Sequence, residues 1–306
     1  MIDIEHVSKR YGETLAVDDL SFQIRPGLVT GFLGPNGAGK STTMRLIVGL
    51  DKPTTGSVTV NGRRYRDLRA PLREVGTMLE ARAIHTGRSA YNHLLAMAQT
   101  HRIPKSRVNE VIALVGLERV ARKRAGGFSL GMGQRLGIAS ALLGDPPVLI
   151  LDEPANGLDP EGILWIRNLL RGFADEGRTV FLSSHLMSEI ALTADHLIVV
   201  GRGRLIADAT VAAVVEQASM NAAVLVRCGD GEALRRALAG PGVVVDPRGD
   251  GAFEVHGLSA PRIGEALLRA GVAVHELTPQ QATLEDAFMA LTGDAVDFRA
   301  VTEAAA

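Results

Sequence analysis

Apolar and polar positions change rhythm several times along the chain, and each rhythm predicts an element. From residue 1 to about 26 they alternate, as in Ile2-Asp3-Ile4-Glu5 and Ser21-Phe22-Gln23-Ile24, which predicts antiparallel strands. Leu28-Val29-Thr30-Gly31-Phe32-Leu33 is a dense apolar run and reads as a buried strand, with a helix to follow at Met44 to Leu50. Gly56-Ser57-Val58-Thr59-Val60 predicts a further strand, ended by the turn pair Asn61-Gly62. Residues 86 to 144 read as mostly helical, because Ala90 to His101 and Val108 to Val115 repeat their apolar positions near the helical period. Pro147 to Leu151 and Thr179 to Leu182 are dense again and predict parallel strands buried on both faces. Asp195 to Val200 reads as the final strand here. A hairpin turn at Gly201-Arg202-Gly203-Arg204 and a helix around Val211 to Gln217 follow.

The character changes at about residue 222. Strands at Ala223 to Arg227, Gly242 to Asp246, Ala252 to His256 and Val272 to Glu276 interleave with helices at Glu232 to Leu238, Ala260 to Arg269 and Leu284 to Leu291. Gly229-Asp230-Gly231 and Gly249-Asp250-Gly251 separate them. This pattern predicts a small α+β domain over 222–306 with its own core, ending in a disordered tail from Thr302 to Ala306.

Composition narrows the picture. The 306 residues suffice for two domains, and 46% hydrophobic with 22% charged is the balance of a soluble globular chain. A net charge of −1 gives no electrostatic reason to expect a nucleic-acid partner. No apolar run reaches the roughly 18 residues that a membrane span needs. The start, Met1-Ile2-Asp3-Ile4-Glu5-His6, is charged, unlike a signal peptide. Cys228 is the sole cysteine, which excludes an internal disulfide, fits a reducing cytoplasm and suits a small buried group.

Chemistry enters at Gly34-Pro35-Asn36-Gly37-Ala38-Gly39-Lys40-Ser41-Thr42. The run fits the pattern G-x-x-x-x-G-K-S/T and stands between a strand and a helix, the context that pattern requires. Glycines let backbone N–H groups close around phosphate oxygens, and the helix start adds a positive dipole end. Lys40 would reach the β- and γ-phosphates and the Ser41 hydroxyl would hold Mg²⁺, so the chain is expected to bind a nucleoside triphosphate.

Three further features complete this chemistry. Val148 to Leu151 runs into Asp152 and Glu153; Asp152 would orient Mg²⁺, directly or through water, and Glu153 would polarise an attacking water as general base. Read alone, the same two acids cap a turn. His185 follows the second dense strand, where a neutral imidazole would align that water against the γ-phosphate; read alone, it is a solvated loop residue. Ser129 is a suitable helix N-cap, and with the N–H of Gly131 it makes a second anion site. One triphosphate does not need two such sites. The simplest resolution is that this one serves the nucleotide of a second copy, although an ordinary capped helix also accounts for it.

These residues, in this order, resemble the ATP-binding-cassette ATPases over residues 1 to 215. Gly34 to Thr42 is similar to their Walker A loop, and Leu149 to Glu153 to Walker B with its catalytic glutamate. Asn156-Gly157-Leu158-Asp159-Pro160 is similar to the D-loop, and His185 to the switch histidine. Tyr11 stands where the family places an aromatic that stacks on adenine. Ser129 to Arg135 resembles the signature, with Leu130 and Met132 as departures; Val75 to Glu80 resembles the Q-loop approach, with Glu80 in place of glutamine as a metal ligand. The resemblance implies an α/β P-loop cassette: a RecA-like core, an antiparallel β subdomain and a helical subdomain at about 81–144. It implies ATP and Mg²⁺ as ligands, and two copies closed head-to-tail around two ATP molecules, with Asp159 among the contacts. It also implies a separate membrane permease and a place on the inner face of the cell membrane. Leu284-Glu285-Asp286-Ala287-Phe288 with Leu291-Thr292-Gly293, and the signature's variant form, resemble the bacterial drug- and antibiotic-exporter subgroup. Two other readings stay open: a soluble cassette ATPase outside transport, and a regulatory ATP-binding module that hydrolyses poorly.

Overall fold

The alternating start of the chain folds as predicted. In the computed structural model, β1 (Ile2–Tyr11) and β2 (Thr14–Ile24) lie antiparallel, with Ile2 opposite Ile24 and Ile4 opposite Phe22. The structure describes residues 1–80, 83–220, 223–248, 251–280 and 283–292; Gly249, Asp250, Gly293 and the tail from Thr302 fall outside them. β3 (Val29–Leu33), buried along its whole length, leads through the glycine loop into α1 (Lys40–Ile47). β4 (Thr55–Val60) pairs with β1 and completes a three-stranded sheet ordered β2-β1-β4. Asn61 and Gly62 both take left-handed φ after it, as a tight turn requires.

A short α2 (Pro71–Glu74) precedes β5 (Val75–Met78). Three helices follow: α3 (Ala90–Thr100), α4 (Lys105–Leu114) and α5 (Leu130–Leu142). Their buried positions, such as Leu94 and Ala98 on α3 and Val108, Val111 and Ile112 on α4, keep the predicted spacing. The chain continues through β6 (Val148–Asp152), α6 (Pro160–Asp175), β7 (Thr179–Ser183), α7 (Met187–Thr193), β8 (His196–Gly201) and β9 (Arg204–Thr210).

A six-stranded sheet takes the order β5-β6-β7-β3-β8-β9. Every pair from β5 to β8 is parallel and only β8–β9 is antiparallel. The loops after β3, β6 and β7 therefore leave one shared edge, the edge where open α/β sheets bind ligands. Phe22, Phe32 and Phe181 join the two sheets, with ring centroids 5.8, 5.1 and 6.5 Å apart.

Asp195 to Val200 is not the final strand of this region: β9 follows it. As an edge strand with mostly exposed or half-buried side chains, β9 carries little apolar patterning. α6 was also unanticipated, though Ile166, Leu170, Phe173 and Ala174 share its buried face.

The chain divides into two compact units, Met1–Val211 and Ala212–Ala290. After α8 (Val211–Met220), the second unit runs β10 (Val224–Cys228), α9 (Gly231–Ala237), β11 (Val244–Pro247), β12 (Ala252–His256), α10 (Ala260–Arg269), β13 (Val274–Pro279) and α11 (Leu284–Thr292). Its sheet is antiparallel throughout, ordered β11-β12-β10-β13, which is the split β-α-β topology. Val224, Val226, Cys228, Leu234, Val255, Ile263 and Leu267 form its separate core.

Candidate active site

Gly39 makes the phosphate loop possible. Its φ is +98°, and a Cβ there would lie 2.6 Å from the carbonyl oxygen of Ala16. Only glycine fits both constraints. Gly39 is also the N-cap of α1 and brings no side chain to cap it, so the helix keeps its first N–H groups for a ligand. Lys40 begins that helix. Its Nζ lies back across its own loop, donating to the carbonyls of Gly34 at 2.5 Å and Pro35 at 3.2 Å. Burial lowers the Lys40 pKa from its ordinary 10.5, against the opposing pull of Glu153 and then Asp152.

Asp152 ends β6 at the same edge. Ser41 Oγ donates to its Oδ2 at 3.1 Å, and the Ser183 hydroxyl, from the end of β7, donates to its Oδ1. Glu153 follows at a left-handed φ of +51°, a conformation uncommon outside glycine. Its N–H donates to Ser183 Oγ at 3.1 Å, and its Oε2 pairs with His185 Nδ1 at 2.7 Å. A cavity of about 360 Å³ is lined by Asn36 to Thr42 together with Asp152 and Glu153. Ser41 and Asp152 also line a neighbouring cavity of about 440 Å³, where Glu80 joins them just beyond β5. The structure thus brings the glycine loop, Ser41, Asp152, Glu153 and His185 to one place, with Glu80 beside it.

The remaining predicted residues do not line that cavity. Ser129 is the N-cap of α5, its Oγ accepting from Met132 N at 3.3 Å. Gly131 lies in the first turn, where a Cβ would come 2.9 Å from the Gly157 carbonyl oxygen. Asp159 caps α6, accepting from Gly162 N at 2.9 Å. Tyr11, 44% exposed, closes β1 and donates its hydroxyl to Asp51 Oδ2 at 2.8 Å.

Two site residues escaped the sequence reading. Ser183 braces both Asp152 and Glu153. Gln134 on α5, 2% exposed, donates from Nε2 to the carbonyl oxygen of Glu153 at 2.7 Å. Its signal was present: an amide on the same helix face as Ile138 and Ala141, both buried, needs a buried partner.

The family profile described as ABC transporter matches residues 17–156, and an AAA-domain profile overlaps it at 124–191. A domain of unknown function, DUF8746, matches residues 222–285. The bacitracin transport ATP-binding protein BcrA of Bacillus licheniformis is 42% identical over 209 residues, covering 67% of this chain and 68% of its own. The lantibiotic transport ATP-binding protein SrtF of Streptococcus pyogenes is 37% identical, covering 67% and 89%. The uncharacterized ABC transporter ATP-binding protein YdbJ of Bacillus subtilis (strain 168) is 32% identical over 95% of both chains, so its likeness extends across the second unit. Among solved structures, an ATP-binding subunit of an ABC transporter superposes with a TM-score of 0.65 at 27% identity, covering 71% of this chain and 92% of its own. The dimeric cassette MJ0796, in a post-hydrolysis state with ADP and Pi, gives 0.63 at 26% identity, covering 69% and 99%. The likeness to curated subunits over two thirds or more of their length, with a family match that spans the phosphate loop and its paired carboxylates, places the chain in the ABC transporter ATP-binding family, as an ATP-binding ATPase subunit.

Proposed function

We propose that the chain drives export of antibiotic-like small molecules, working as a head-to-tail dimer beneath a separate membrane permease on the cytoplasmic face. The exporter assignment is supported by the bacitracin and lantibiotic transport roles named for two relatives. The dimer is supported by the dimeric cassette among the structural neighbours. Among the described residues no helix is long and apolar enough to cross a membrane, and on this reading a separate permease supplies the pathway for the substrate. On this reading residues 1–215 are the cassette and 222–306 an accessory domain.

One observation carries the mechanism: the phosphate loop and the N-terminus of α5 do not share a cavity. Lys40 and Ser41 line one cavity, whereas Ser129 and Gly131 belong to the α5 terminus and are absent from its lining. In a head-to-tail pair, Ser129 and Gly131 of one copy complete the site of the other, with Asp159 beside the shared boundary. Only ATP offers a γ-phosphate to that second wall, so ATP closes the pair and hydrolysis releases it. Tyr11 stacks on the adenine. Glu153 takes a proton from the attacking water while His185, hydrogen-bonded to it, holds the pair in line.

Ser41 and Asp152, with Glu80 in the adjoining cavity, offer hard oxygen donors and suit Mg²⁺. When bound, the ion neutralises phosphate charge.

Complementation tests the shared site. A Lys40→Ala copy and a Ser129→Ala copy, each inactive in the assembled transporter, regain part of the ATPase activity when mixed, because one of the two sites in the mixed pair is intact. No recovery on mixing, with mixed pairs demonstrated, refutes the shared site.

A further inference from the structure

Tyr11 is held more firmly than an exposed loop aromatic needs to be. Its hydroxyl donates to Asp51 Oδ2 at 2.8 Å, and Arg45 Nε donates to the same oxygen at 2.7 Å. Arg45 lies on α1, the helix that Lys40 begins, and Asp51 follows that helix, its side chain 17% exposed. Lys9 Nζ lies over the Tyr11 ring, 4.7 Å from its centroid, and is itself anchored by donating to the Lys52 carbonyl at 2.8 Å. The ring is thus fixed at its hydroxyl and covered on one face, while nearly half of its surface stays open. Such order is built before any ligand arrives, which lowers the entropy cost of stacking.

We propose that Asp51, backed by Arg45, is a positioning residue for the nucleobase: it holds Tyr11 as a one-sided platform, with Lys9 on the back face and a purine ring on the open face. The proposal rests on the stacking role given to Tyr11 above. Asp51 acts through the phenol and not by touching the nucleotide. The same carboxylate ties the platform to α1, so the base-binding ring and the phosphate-binding helix keep a fixed spacing. Hydrogen bonds from Arg45 and then Tyr11 hold the Asp51 carboxyl below its ordinary value, so the tether stays ionised throughout the neutral and mildly acidic range.

The test measures MgATP binding by calorimetry and steady-state ATPase kinetics in the full chain with its permease. Tyr11→Ala, which removes the ring, weakens ATP about tenfold. Tyr11→Phe and Asp51→Ala, which keep the ring and cut the tether, each weaken ATP about fivefold. Their loss appears in KM and not in kcat. The double variant Tyr11→Phe with Asp51→Ala is no weaker than Asp51→Ala alone, because the bond between the two side chains is lost only once. Asp51→Asn, whose amide oxygen still accepts from the phenol, recovers most of the affinity. Normal ATP affinity in both Tyr11→Phe and Asp51→Ala, beside a weakened Tyr11→Ala, overturns the tether and leaves stacking intact. Normal affinity in Tyr11→Ala overturns the stacking role itself. Tyr11→Phe loses only a hydroxyl, so it decides the matter even if Asp51→Ala does not fold.

Discussion

Gln134 donates its side-chain N–H to the main-chain carbonyl of Glu153, 2.7 Å away, from a buried face of α5. The N–H of the same residue is held from the other side by Ser183, at 3.1 Å from Oγ and 3.3 Å from the carbonyl oxygen. Glu153 sits at φ +51°, where a non-glycine residue costs about 1–3 kcal/mol. The clamp keeps it there and aims its carboxylate at His185. Gln134→Ala frees one side of the clamp. We expect kcat to fall about tenfold or more while KM for ATP changes little, since displacing a catalytic group by about 1 Å can cost roughly a hundredfold. Steady-state ATPase kinetics read this directly. A raised KM at normal kcat would place Gln134 in binding instead.

On the proposed mechanism, Glu153→Gln removes the proton acceptor but keeps the side chain's shape and its place beside His185. Loss of a general base typically costs about 10²- to 10⁴-fold, so turnover is expected to fall into that range while ATP still binds. In the head-to-tail pair proposed above, ATP that binds without being hydrolysed holds the pair closed. Sizing chromatography with MgATP is then expected to show a dimer for Glu153→Gln. A monomer under those conditions counts heavily against Glu153 as the base.

Leu130 stands where the family's signature has its first glycine, and its side chain, 50% exposed, packs onto Gly157. A Cβ at Gly157 would lie 2.4 Å from both Cγ and Cδ2 of Leu130, at a φ of +75°. Gly157→Ala therefore meets two obstacles, a clash and a left-handed alanine. Displacing Leu130 also moves its neighbours Ser129 and Gly131, so ATPase activity is expected to drop along with melting temperature. Adding Leu130→Gly removes the clash and leaves the backbone penalty of about 1–2 kcal/mol. Partial recovery in the double variant, by thermal unfolding and ATPase assay together, checks the contact. Equal loss in the single and double variants would show that Leu130 is not the obstacle.

Local chemistry was legible in the sequence, and long-range partners were not. Gly34 to Thr42 announces its task because glycine freedom, lysine and hydroxyl must follow each other along the chain. Asp152 and Glu153 were legible because they end a run of buried apolar residues. Gln134 lies 19 residues from Glu153, and no local pattern points an amide at a particular carbonyl. Asp51 is 40 residues from Tyr11, with the same consequence. β9 was missed because an exposed edge strand lacks the burial that creates alternation. In the second unit, by contrast, Ile263 and Leu267 mark the buried face of α10 at helical spacing, so this helix was found where it lies.

Lys40 supplies the pH dependence. Burial holds its pKa in the ligand-free protein below 10.5, while a triphosphate beside the ammonium favours the charged form and raises it. ATP binding is therefore coupled to proton uptake once the pH passes the ligand-free value. Affinity is level below that value, falls as pH rises through it, and levels again above the bound value. Stability of the ligand-free protein runs the other way. Between the lowered folded pKa and the unfolded one, the unfolded chain binds more protons at this residue, so its contribution to stability increases with pH. General alkaline loosening of the fold would lower affinity and stability together, so the opposite signs identify Lys40. Titrating MgATP binding and recording melting curves from about pH 8 to about pH 10.5 separates the two. Lys40→Met is expected to bind ATP weakly at every pH, with a flat profile, and to lose the matching rise in stability. A decline in affinity that persists in Lys40→Met assigns the titration to another group.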